Sequence, residues 1–316
     1  MKKALLAICL TLAIFRTQAQ DLTRVRLVDT FEHYTYGMSA SKDRRWIGLN
    51  VAYIGRALLD SQLKTVKYFP LTTVYGGSSH RFTFQDQFYC FTKNGTIDTL
   101  LICDLKTLQH KQYLMQVESL MPFYNTSKLL LCTGGKFSVM DLQTRKTSPL
   151  CVIPGMSGGC PFNQFVISHN DSLIFTNKSN RGPDILIYDI KKKKWTGKIA
   201  TDAGDEVLNM TITRDGKYLL YSVKQDIFMY DIAAGKIVHR YTNPNSYVGL
   251  LTISPDGKYL FSSGGGGELY AFLIADGSMK TFKINEENRV VADIYFGENG
   301  KLFVCASNKL YEYHIR

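Results

Sequence analysis

Between Leu250 and Ala275 short apolar runs alternate with tight polar breaks. Apolar residues end at Ile253, Ser254-Pro255-Asp256-Gly257-Lys258 follows, then Tyr259-Leu260-Phe261, four glycines, and Glu268-Leu269-Tyr270-Ala271-Phe272. The pattern predicts strand, turn, strand, loop, strand. Pro255 presets φ, Asp256 can bond its own backbone and Gly257 accepts φ > 0, so the turn is the firmest local signal. Runs such as Tyr259-Leu260-Phe261 lack polar alternation, so these strands should be covered on both faces. A three-strand piece cannot supply that cover alone.

The chain supplies copies. Ile212-Thr213-Arg214-Asp215-Gly216-Lys217-Tyr218-Leu219 matches Ile253 to Leu260 at a distance of 41 residues, and Glu298-Asn299-Gly300-Lys301-Leu302-Phe303 repeats the turn 43 residues later. A second landmark is an apolar run ending in Asp, at Asp60, Asp104, Asp141, Asp189 and Asp231, with degenerate copies at Leu273 and His314. These seven positions are 44, 37, 48, 42, 42 and 41 residues apart. A period near 42 residues is the size of a four-stranded propeller blade. After the landmark, turns such as Asp231 to Lys236 lead into a fourth strand, here Ile237 to Tyr241. In the last unit Val290 to Phe296, Lys301 to Ala306 and Lys309 to Ile315 use up the chain. Leu22 to Val28 alternates as a strand with no first strand before it, so it is predicted to complete the seventh blade and remove its free edge. The expected fold is all-β, a seven-bladed β-propeller of four-stranded antiparallel blades whose last blade is closed by the N-terminal strand.

Composition supports this reading: 19 Tyr and 18 Phe favour strands, and 45% hydrophobic content over 316 residues allows a sizeable core. Residues 1–19 carry a secretory signal pattern, with Lys2 and Lys3, an apolar stretch from Ala4 to Phe15 and Thr17-Gln18-Ala19 before the expected mature start at Gln20. That stretch is too short to span a bilayer core of about 30 Å. No later segment reads as transmembrane, so residues 20–316 are expected to be one exported propeller domain, periplasmic or extracellular and monomeric. Losing Lys2, Lys3 and Arg16 lowers the net charge from +11 to +8. An anionic partner could use that charge, but a solvated lysine-rich surface accounts for it, and the dense run Lys191 to Lys194 falls where a turn is expected. No nucleic-acid partner is expected.

Six cysteines remain after Cys9 leaves with the signal. Six allow fifteen pairings. Cys90, Cys103, Cys132 and Cys305 lie in apolar strand patterns and are expected as small buried hydrophobes, whereas Cys151 and Cys160 flank a Pro- and Gly-containing loop and form the expected local pair. Zinc-type spacings are absent.

Catalytic motifs are also missing. Met156-Ser157-Gly158-Gly159 is not a nucleophile elbow, and Gly264 to Gly267 precedes a strand rather than the helix a phosphate cradle needs. Asp202, Asp205 and Glu206 are too sparse for a calcium loop. His33 and His80 precede predicted first strands and could face the central channel, but no carboxylate accompanies them; the other histidines fall in turns or outer strands. No metal and no cofactor are expected. Ligands are expected on the face where fourth-to-first and second-to-third strand loops meet, which carries His33, Tyr34, Tyr36, Tyr75, His80, Arg81, Asp205, Asn245, Tyr247, Asn288 and Arg289. Tyr, Asn and Arg bind sugars or peptides by stacking and forked hydrogen bonds.

Asp215-Gly216-Lys217-Tyr218 and Ser254-Pro255-Asp256-Gly257-Lys258-Tyr259 resemble the YVTN or surface-layer propeller repeat, and Asn177 to Asp189 resembles the repeat of TolB-like periplasmic proteins. Asp231 to Tyr241 is similar to a quinoprotein repeat, with His239 where that repeat carries a packing Trp. The tryptophan-aspartate repeat does not fit, because neither Trp46 nor Trp195 precedes an Asp at the landmark. The propeller architecture and the missing catalytic constellation point to an exported, non-catalytic platform for a protein or glycan partner in the cell envelope. The alternative is a lactonase-like propeller hydrolase with its site at the channel mouth; no residue set here matches that site, and the reading would require His80, Arg81 and an acid to converge there. A quinone-dependent dehydrogenase is disfavoured by the missing Trp and vicinal cysteines.

Overall fold

The computed structural model describes residues 22–31, 35–41, 43, 45–52, 55–70, 79–82, 87–92, 98–156, 160, 165–178, 183–201, 205–213, 215–245, 248–284, 291–297 and 301–315. These residues form seven four-stranded antiparallel sheets, each a blade of a β-propeller, with its strands A to D in spatial order from the channel outward. Blade 5 is typical: A is Val207–Ile212, B Tyr218–Val223, C Asp226–Asp231 and D Lys236–Thr242. Blade 7 is composite. Its strands A, B and C are Val291–Phe296, Lys301–Ala306 and Lys309–Ile315, and its strand D is the N-terminal Leu22–Thr30, paired antiparallel from Leu22↔Ile315 to Thr30↔Lys309. The ring thus closes as the alternation of Leu22 to Val28 predicted.

Both faces of each sheet are buried, which explains the unbroken apolar runs. In strand B of blade 5, Leu219, Tyr221 and Val223 join Phe175, Ile185 and Ile199 of blade 4, while Leu220 between them joins Leu260, Tyr270 and Phe272 of blade 6. The described residues form seven such clusters, one at each interface between neighbouring blades, including that between blades 7 and 1. There is accordingly no core within a blade. Tyrosine hydroxyls tie neighbours together further out: Tyr188 donates to Leu150 O at 3.2 Å, Tyr241 to Ile274 O at 3.1 Å and Tyr313 to Ile284 O at 3.1 Å.

The two sequence landmarks have a common physical basis in side-chain capping. Between strands A and B of blade 6, Ser254 Oγ donates to Asp256 Oδ1 (2.6 Å) and accepts from Tyr259 N (2.9 Å), while Gly257 holds φ +72°. Thr213, Asp215, Tyr218 and Gly216 do the same in blade 5. Blade 4 has the same turn without glycine: Ser168 caps Leu173 N (2.8 Å) and Asp171 takes the left-handed position at φ 55°. Asp is used there because its carboxylate accepts Tyr124 N and Asn125 N of blade 3, both at 2.8 Å, and so locks two blades together. At the end of strand C, Asp104 Oδ1 accepts from Lys106 N and Thr107 N, Asp141 Oδ1 from Gln143 N and Thr144 N, and Asp189 Oδ1 from Lys192 N, all within 2.8–2.9 Å. The recurring Asp is therefore the cap of the C-to-D turn in the blades that carry it. These backbone donors hold all three carboxyls below the usual range.

The ring is latched where strand D of blade 7 passes into strand A of blade 1, Thr35–Ala40. Phe31 N donates to Asn308 O (2.8 Å), Asn308 Nδ2 returns a bond to Phe31 O (2.8 Å), and Thr35 donates to Ser307 O through N (2.7 Å) and Oγ1 (3.0 Å). Asp293 of blade 7 accepts Met38 N at 2.5 Å, which satisfies a donor on the inner edge of blade 1.

Two expectations follow. Gly257→Val forces a β-branched residue into the left-handed region and should cost roughly 1–2 kcal/mol, whereas Lys192→Ala on the solvated run should stay within about 0.5 kcal/mol; equal urea midpoints would count against the turn assignment. The three capping carboxylates have depressed folded pKa values, so their stabilisation is complete above the unfolded value of about 3.9 and is lost as pH falls through the lower folded values. A triple Asp104→Asn, Asp141→Asn, Asp189→Asn variant should show a shallower loss of stability than the parent below about pH 4, measured by urea unfolding across pH.

Candidate functional site

Loops joining strand D to the next strand A, and those joining B to C, emerge on one face of the ring. Of the residues expected there, His33, Tyr34, Tyr75, Tyr247, Asn288 and Arg289 lie outside the described residues. Tyr36 lies within strand A of blade 1, and His80 and Arg81 lie within strand A of blade 2, Ser79–Phe82, rather than in the loops before them. The first strands of blades 1 and 2 thus start earlier than expected. Asp205 and Asn245 are the two whose surroundings are defined, and the structure puts them in separate clusters.

Asn245 belongs to a network on blade 6. Asn243, fully buried, donates to Ser262 Oγ at 2.7 Å and its Oδ1 accepts Asn245 N at 3.0 Å. Asn245 Nδ2 donates to Glu268 Oε2 at 3.1 Å and to the Tyr270 hydroxyl, which in turn donates to Glu268 Oε2 at 2.5 Å. A Cβ on Gly264 would lie 1.9 Å from Asn245 Nδ2, so the close approach of the loop requires glycine there. The hydrogen bonds from Tyr270 and Asn245 hold the Glu268 carboxyl below its ordinary range, and burial together with the Glu268 bond pushes the Tyr270 phenol up. At neutral pH the trio is a fixed carboxylate with fixed donors, a built acceptor rather than a proton-transfer pair. Glu268 and Tyr270 were missed from sequence, although Glu268 directly follows the glycine run in a second-to-third strand loop.

Blade 3 corrects the expected cysteine pairing. Cys160, in the loop leading to Phe165–Ile167, the strand A of blade 4, is bonded to Cys132 of Lys128–Thr133, the strand B of blade 3, with Cα atoms 5.9 Å apart, and Cys151 is free and half-buried. Cys151 sits in strand D, Thr147–Val152, opposite Phe137, so the loop after it carries Cys160 back across the sheet to the inner strand. Cys132 is thus a cross-link as well as a buried residue. Burial pushes the Cys151 thiol up to about 12, outweighing the lowering influence of the neighbouring Tyr188 hydroxyl. Glu118, just ahead of Ser119–Pro122, the strand A of blade 3, accepts Cys160 N, so Cys160 is held through both its backbone and its side chain.

Asp205 lies at a cleft of about 390 Å³ between blades 4 and 5. Its carboxylate pairs at 2.6 Å with Lys224, which occupies the two-residue turn between strands B and C of blade 5 at φ 51°. Tyr221 and Phe228 stack on one wall, with ring centroids 5.3 Å apart and planes 20° apart. Arg240 pairs with Asp226 and lies over the Phe228 ring at 5.6 Å, and Thr242 Oγ1 donates to Asp226 at 2.8 Å. Burial raises the Asp226 pKa, but the Arg240 and Thr242 bonds outweigh it and the carboxyl stays ionised below its ordinary range.

Among the described residues no group of three or more His, Cys, Asp or Glu side chains is placed to hold a metal ion. Compared with known proteins, the chain matches no family model and no curated sequence.

The disulfide assignment is checked by peptide mapping without reduction. Cys132 and Cys160 should appear linked and Cys151 should alkylate only after unfolding. Cys160→Ser, which opens a link spanning 28 residues, should lower stability by about 3 kcal/mol in urea titrations.

Proposed function

We propose that this chain is an exported, non-catalytic binding platform whose ligand face recognises a protein or glycan partner in the cell envelope. The observation that carries the reading is the locking of that face. The Asn243, Asn245, Glu268 and Tyr270 network, the Cys132–Cys160 bond and the Glu118 contact fix the described residues after blades 3 and 5 and beside the glycine run of blade 6 before any partner arrives. A preordered surface loses little entropy on binding, which favours recognition over a mobile, closing site. The repeats of blades 4 to 6 are read as of YVTN or TolB-like type on the Asp-Gly-Lys-Tyr turns, and the leader at residues 1–19 is read as an export signal.

The test is affinity capture from the envelope of the source organism, comparing the parent with an Asn245→Ala, Glu268→Ala double variant. A partner retained by the parent and lost at least tenfold by the variant supports the platform, and equal retention counts against it. The mature protein recovered from the same cells should begin at Gln20. Hydrolysis of simple lactones by the purified chain, abolished by His80→Ala, would instead support the hydrolase alternative.

A further inference from the structure

We infer that the cleft between blades 4 and 5 is a subsite for one uncharged pyranose ring of a glycan. The inference rests on reading the chain as a binder, and it adds a second contact, distinct from the Asn245 network, where the loop of Asp205 meets the B-to-C turn of Lys224.

Three features of the cleft select that chemistry. The first is size. At about 390 Å³ the space suits a small ring and its substituents and is too small for a folded segment of protein. The second is the wall. Phe228 is its partly exposed ring, backed by the buried Tyr221 ring stacked on it and flanked by the Arg240 guanidinium, and it offers an apolar edge against which the C–H face of a sugar ring can pack. The third is the rim, where Asp205 pairs with Lys224 and Asp226 pairs with Arg240, two anions against two cations.

The paired rim decides between ligand classes. A ligand with its own charge must compete with one member of an ion pair for the other. A purely apolar ligand would cover both pairs and strip their water without returning hydrogen bonds, at a cost for each polar group buried. Hydroxyl groups both donate and accept, so a neutral polyhydroxylated ring can bond to the carboxylates and to the cations without separating them. The pairs are also held in place beforehand. Thr242 supports Asp226 at 2.8 Å, and Lys224 projects from a tight two-residue turn toward Asp205. Arg240 contributes a planar group above the Phe228 ring, so the apolar and polar parts of the cleft are one continuous surface.

The experiment is a glycan array probed with the mature chain. It carries neutral oligomers of glucose, galactose, mannose and N-acetylglucosamine, their uronic-acid and sialylated counterparts, and a Phe-rich tetrapeptide as the aromatic peptide arm. The best ligand is then titrated by calorimetry. Binding of a neutral oligomer is expected, weakened at least tenfold by Phe228→Ala and by Asp226→Asn and unchanged by Lys146→Ala on the exposed turn of blade 3. Asp226→Asn keeps the side chain's shape, so it serves as the decisive variant if Phe228→Ala alters the melting temperature. Preference for an acidic glycan or for the peptide, no binding to any neutral oligomer, or binding indifferent to Asp226→Asn would each overturn the assignment. A silent array alongside envelope capture that depends on Asn245 and Glu268 would sink the sugar subsite alone, and failure of both would sink the platform reading with it.

Discussion

Each sheet in this protein presents apolar side chains on both faces, and the only cover available is the next sheet. Leu219 and Leu220, adjacent in one strand, serve different interfaces, and the same division recurs around the ring. Burial of such side chains contributes roughly 1.5–3 kcal/mol each, but only if a neighbour is present on the correct side. A blade at the end of an open array would leave one apolar face in water. Ring closure is therefore a condition for the stability of every blade, and the interface between blades 7 and 1 is as necessary as the other six.

The closing interface joins the two ends of the chain, which accounts for the density of polar contacts there. Strand D of blade 7 comes from the N-terminal end, and the Phe31, Thr35, Ser307 and Asn308 bonds fasten it as the chain enters blade 1. Each of the other blades is built from four consecutive strands. Outer strands such as Lys194–Ile199, Lys236–Thr242 and Met279–Lys283 remain edges, and their lysines oppose pairing with another sheet. Much of the net positive charge has this explanation without any partner.

A closed ring also holds its loops at fixed separations, and the described ligand face adds local restraints to that frame. The network on blade 6 and the cross-linked loop of blade 3 use different chemistry for the same end, a surface whose donors and acceptors are already oriented. The cleft between blades 4 and 5 differs in kind, since its space is lined by the Phe228 ring and two ion pairs rather than filled by side chains.

The amino-acid sequence alone determined the blade count, the strand order and the use of the N-terminal strand for closure, because these depend on period, turn chemistry and apolar runs, all local in the chain. It signalled the Asp caps at the end of strand C as a repeat, though not as hydrogen-bond acceptors. The turn of blade 4 escaped notice because Asp171 replaces glycine at the left-handed position, and its reason lies in blade 3. Tertiary structure alone decided that Cys160 meets Cys132 rather than Cys151, that Glu268 and Tyr270 join Asn245, and that Asp205 faces Lys224. It also buried Arg56 completely on strand C of blade 1, where it donates to Gly55 O at 3.1 Å within an otherwise apolar run. Each of these depends on which side chains from distant segments share a face or an edge, and strand periodicity carries no information on that until the sheets are packed.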